Sequence, residues 1–62
     1  MKNITVIIAY ETISPAVLEN IFSNGLMGWC GYYEVDEDYF EFWVECREED
    51  AAWAKRKLAQ YV

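Results

Sequence analysis

The chain has no histidine, and so lacks the side chain that most often serves as general base or metal ligand near neutral pH. Basic residues are scarce: five Lys and Arg stand against eleven Asp and Glu, for a net charge of −6. A surface of that sign repels phosphate backbones, whose binding depends on Lys and Arg releasing condensed counterions, so direct nucleic-acid binding is not expected. The two cysteines, Cys30 and Cys46, have no Cys-x-x-Cys spacing, which leaves a zinc or dithiol redox site unsupported. The apolar stretch from Ile4 to Tyr10 is far too short to span a bilayer, so no membrane association is expected. No basic leader with a long apolar segment and a small-residue cleavage site opens the chain, and it reads as cytoplasmic.

The charge is unevenly spread. Residues 1–50 carry all eleven acids with only Lys2 and Arg47 to offset them, whereas residues 51–62 carry Lys55, Arg56 and Lys57 and no acid. With 62 residues there is room for one domain, residues 1–62, with a small core. Aromatic side chains make up 18% of the chain, which helps a small core because each buried ring removes roughly 150–250 Å² from water. Self-association is the other usual support for a domain of this size.

The stretch YFEFWVEC, residues 39–46, alternates apolar and acidic side chains with a period of two and predicts a β-strand. Phe40, Phe42, Val44 and Cys46 share one face; Tyr39, Glu41, Trp43 and Glu45 share the other. Residues 3–10, rich in β-branched side chains, predict a first strand. Ser14 before Pro15 has the form of an N-cap and first helical residue, with Ile13 and Leu18 spaced for a hydrophobic staple. The helix runs to Asn24-Gly25, with Val17, Leu18, Ile21 and Phe22 as its apolar stripe.

Residues 29–35 and 39–46 form a β-hairpin around the tip Asp36-Glu37-Asp38. A connection of two or four residues would set Trp29, Tyr33 and Val35 on the face of Phe40 and Phe42, sending Cys30, Tyr32 and Glu34 outward. The opposite parity would turn Glu34 toward the core, against the cost of burying a carboxylate. In the favoured register the two thiols lie on opposite faces and stay unpaired. A last helix opens on Glu48, Glu49 and Asp50 and closes on Lys55, Arg56 and Lys57, matching its dipole, with Ala51, Ala54, Leu58 and Tyr61 or Val62 buried and Trp53 at the edge.

The expected fold is therefore α+β with element order β1-α1-β2-β3-α2, a three-stranded antiparallel sheet in order 1-3-2, and both helices on one face. Ser14 and Ser23 are explained by capping and helix positions, and no nucleophile, base and orienting group come together; the chain is not expected to be an enzyme or to carry a cofactor or metal. Asp36-Glu37-Asp38 could open a calcium loop, but the sixth position would be Glu41 instead of Gly and the twelfth Arg47 instead of Glu. Three basic residues late in a helix are accounted for by its dipole.

The remaining signal is a sheet face that is both aromatic and acidic. Tyr32, Tyr39 and Trp43 supply anchors, and Glu34, Asp36, Glu37, Asp38, Glu41 and Glu45 supply charge, for a basic partner surface or, alternatively, for a second copy of the chain in a homodimer. An RNA-reading sheet would surround its aromatics with Lys and Arg instead.

The run LENIFSNGLMGWCGYYEV, residues 18–35, with the small size and the −6 charge, resembles short proteins encoded by bacteriophages, among them acidic inhibitors of host nucleic-acid machinery such as anti-CRISPR proteins. The resemblance implies a non-enzymatic inhibitor in the host cytoplasm that occupies a basic groove meant for nucleic acid. It assigns no role to any single residue.

Overall fold

The computed structural model describes residues 1–25 and 28–62. Its elements are β1 (Lys2–Ala9), α1 (Pro15–Gly25), β2 (Trp29–Glu34), β3 (Tyr39–Cys46) and α2 (Glu48–Ala59). β3 is the central strand, antiparallel to β1 and to β2, and both helices pack on one face, α1 beside β2 and α2 beside β1. The α+β architecture and the strand order expected from the sequence are those observed.

Local chemistry accounts for each element. The β1 register sets Ile4 opposite Val44, Val6 opposite Phe42 and Ile8 opposite Phe40, so its even positions face the helices. At the start of α1 the Ser14 hydroxyl accepts a hydrogen bond from the Val17 N–H at 3.3 Å, and the Ser14 carbonyl accepts from Leu18 at 3.1 Å. Leu18 and Phe22 are fully inside, with Ile13 and Ile21 packed at the edge. Val17 departs from the expected stripe and is exposed, because the buried arc of α1 centres on Leu18 and Phe22, one full turn apart.

At α2 the N-cap Arg47 offers no side-chain cap. Its Nε instead pairs with Glu49 at 3.2 Å and Asp50 at 3.8 Å, placing carboxylates at the positive end of the helix dipole. Ala51, Ala54 and Leu58 are buried, and Tyr61 rather than Val62 packs against the core. Phe22 lies between Phe42 at 5.4 Å and the edge-on ring of Trp53 at 5.7 Å, joining α1, β3 and α2. Phe22, Phe40 and Phe42 each contribute about 1.5–3 kcal/mol of apolar burial to this core.

The hairpin register differs from the expected one. Cys30 pairs with Val44, Tyr32 with Phe42 and Glu34 with Phe40, even positions opposite even. The connection has three residues, because Val35 donates its N–H to the Tyr39 carbonyl at 3.1 Å and so extends the ladder to the edge of the tip. Asp36 holds that turn: its carboxylate accepts from the N–H groups of Asp38 at 2.8 Å and Tyr39 at 3.0 Å. An odd-numbered loop reverses the parity of β2, so Cys30, Tyr32 and Glu34 join the helix face while Trp29 and Tyr33 turn to the open one. The carboxylate cost that argued for the other register is not incurred, since Glu34 ends its strand and is exposed.

Cys30 and Cys46 therefore lie on the same face, and both are free thiols. They sit diagonally across the β2–β3 ladder, where Cα atoms are about 7–8 Å apart, beyond the roughly 4.4–6.8 Å a disulfide spans. Cys30 turns instead to α1, its Sγ 3.9 Å from the Glu19 carbonyl and 4.0 Å from the Ser23 hydroxyl.

Candidate protein-binding surface

With both helices on one side, the odd positions of the three strands form an uncovered face. Its cross-strand rows are Asn3, Glu45 and Trp29; Thr5, Trp43 and Gly31; Ile7, Glu41 and Tyr33; then Ala9 and Tyr39. Trp29 is 69% exposed and Tyr33 62%, with Tyr39 and Ile7 also open to solvent. Trp43 is half-buried because its indole lies over Gly31: a Cβ added there would come within 2.8 Å of Cζ2 and 3.0 Å of Cε2 and Nε1. The glycine thus makes room for the ring, and the ring covers the backbone that the glycine leaves bare.

Of the residues expected to bind a partner, Tyr39, Glu41, Trp43 and Glu45 are together on this face, and Asp36, Glu37 and Asp38 form the exposed tip at one end of it. Tyr32 and Glu34 are on the opposite side. Trp29 and Tyr33 take their places, two positions missed because their assignment depends on loop parity. A shallow depression of about 330 Å³ lies between Asn3, Thr5, Tyr33, Glu41, Trp43 and Glu45.

The electrostatics follow from the register. Glu41 stands between Ile7 and Tyr33, and Glu45 between Asn3 and Trp29, so neither carboxylate has a cation opposite it in the sheet. The late basic residues belong to α2 on the other side, where the Lys57 ammonium lies 5.7 Å from the centre of the Trp53 ring. The open face can therefore offer flat aromatic surfaces and carboxylates to a cationic partner.

Among the described residues no group of three or more His, Cys, Asp or Glu is placed to hold a metal ion, and no helix is long and apolar enough to cross a membrane. The Cys30 thiol is held above the ordinary cysteine range, first by burial and then by the Glu19 carboxylate, with the Ser23 hydrogen bond working the other way. That environment disfavours the thiolate a nucleophile needs. Compared with protein-family models, with curated proteins and with solved structures, the chain matches none.

Proposed function

We propose that this chain is a non-enzymatic acidic binding protein that docks its open sheet face and hairpin tip on a basic surface of a larger protein, one that otherwise holds nucleic acid. It would act as an inhibitor by mimicry in the host cytoplasm, as the anti-CRISPR class of phage inhibitors does. The observation that carries this reading is the uncovered face itself, where Tyr33, Tyr39 and Trp43 neighbour Glu41, Trp29 stands opposite Glu45, and none of the four has a Lys or Arg in its cross-strand row. Tyr and Trp are the residues most enriched among interface hot spots, and carboxylates give arginine the bidentate partner it finds in phosphate.

The exposure of Trp29, Tyr33 and Ile7 on the same open face also favours a second reading, a homodimer packed sheet to sheet. Stacking two copies would bring Glu41 and Glu45 of both central strands into one interface without cations, a desolvation cost that a basic partner offsets. The test is affinity capture from the source cell at low and high salt, followed by nucleic-acid binding assays on any basic protein captured. Salt-sensitive capture of a protein that then loses its nucleic acid supports inhibition by mimicry; a captured protein that still binds nucleic acid refutes it. If nothing basic is captured and the free protein sediments as a dimer that Trp43→Ala dissociates, the homodimer reading stands instead.

A further inference from the structure

The register that removes Tyr32 and Glu34 from the open face gives them a different setting. At the hairpin end of the helix side, the fully buried Phe40 carries a tyrosine on each flank: Tyr10 at 5.0 Å and Tyr32 at 6.0 Å, inclined at 46° and 78°. Tyr10 is fixed there by its N–H, which donates to the Asp38 carbonyl at 3.0 Å. A cleft of about 550 Å³ lies beside them, lined by the two tyrosines, Glu34, Glu37 and the first turn of α1. Among the described residues no basic side chain lines it.

We propose that this cleft binds an arginine side chain presented by a protein partner. A guanidinium is planar and weakly hydrated, so it can stack flat on a tyrosine face while its paired N–H groups meet a carboxylate as a fork; an ammonium is drawn to both groups as a point charge but makes neither the flat stack nor the paired hydrogen bonds. The start of α1 opposes a cation with about half an elementary charge, but Glu34 and Glu37 bring two negative charges and leave the cleft anionic. The Tyr10 phenol reports the same field: it is held above the ordinary tyrosine range by partial burial first, then by Glu34, Tyr32 and Asp36. This inference does not rest on the open face being an interface, since Tyr32 and Glu34 point away from Trp43 and Glu41.

The experiment is an amide and aromatic NMR titration of the whole protein with three capped tripeptides, Gly-Arg-Gly, Gly-Lys-Gly and Gly-citrulline-Gly. The arginine peptide should give saturable shifts at Tyr10, Tyr32 and Glu34, the lysine peptide weaker ones, and the neutral citrulline peptide none. In the double variant Glu34→Gln/Glu37→Gln, affinity for the arginine peptide should fall about tenfold, the loss expected when a charge-assisted pair becomes a neutral one. Both side chains are exposed, so the variant should keep the wild-type melting temperature. The proposal is overturned if citrulline shifts the same signals, if arginine shifts map to Trp29, Tyr33 and Trp43 instead, or if the double variant binds as the wild type does.

Discussion

Gly31→Ala tests whether Trp43 is seated where the structure places it. The new methyl carbon would stand 2.8 Å from Cζ2 and 3.0 Å from Cε2 and Nε1, so the indole has to leave its place over β2. Overpacking of this kind costs about 1–3 kcal/mol. Against that, replacing a strand glycine by alanine returns about 0.5–1 kcal/mol of backbone entropy. The net is a loss of about 1 kcal/mol, which for a domain of this size lowers the melting temperature by about 4–8 °C. In a Trp43→Ala background the methyl meets no ring, so only the entropic gain remains and the same substitution should become stabilising. Thermal unfolding followed by circular dichroism on the four proteins of the cycle measures the coupling, expected at about 1–3 kcal/mol. An equal effect of Gly31→Ala in both backgrounds would refute the packing of Trp43 on Gly31.

Gly28→Ala should be far more harmful, because its methyl would run into the Glu45 carbonyl and the Cys46 Cα, backbone that cannot swing aside. A loss of about 3 kcal/mol or more, out of the roughly 3–9 kcal/mol a chain of this length possesses, should remove at least a third of its stability and lower its urea midpoint accordingly. Asp36→Ala should cost about 1–2 kcal/mol by leaving the N–H groups of Asp38 and Tyr39 without their acceptor, whereas Asp36→Asn, which retains an acceptor oxygen, should cost less than half as much. The raised Cys30 pKa means that less thiolate is present at any given pH than in a free cysteine, so alkylation by iodoacetamide should reach its half-maximal rate at a higher pH than a model thiol does. Cys46, fully buried, should react only on unfolding.

Most of the fold is legible in the sequence because its signals are local and agree with one another. The period of two in residues 39–46, the Ser14-Pro15 start and the charge polarity of residues 48–57 each specify an element without reference to the others. The surface is less legible because it depends on how two strands meet. β2 is a run of aromatics interrupted by Gly31 with little hydrophobic alternation of its own, so its facing is set by the tip. The cue lay in Asp36, whose carboxylate can close a turn on residues two and three positions ahead and thereby hold a three-residue loop without glycine. Glu34 pointed the other way, since a carboxylate on the core face would be costly in mid-sheet. At the last position of a short strand it reaches water from either face.

The three-residue tip also makes the surface heritable in an unusual way. A single-residue insertion or deletion between Asp36 and Asp38 would leave β1, β3 and both helices in place while turning β2 over. Trp29 and Tyr33 would swing under the helices, and Cys30, Tyr32 and Glu34 would come out beside Trp43. A mutational event usually dismissed as loop drift would thus exchange one set of surface side chains for another in one step, dismantling the tyrosine cleft and replacing Trp29 and Tyr33 on the open face. A lineage built on this scaffold could change the surface it presents by editing the length of its turn instead of the identity of its side chains.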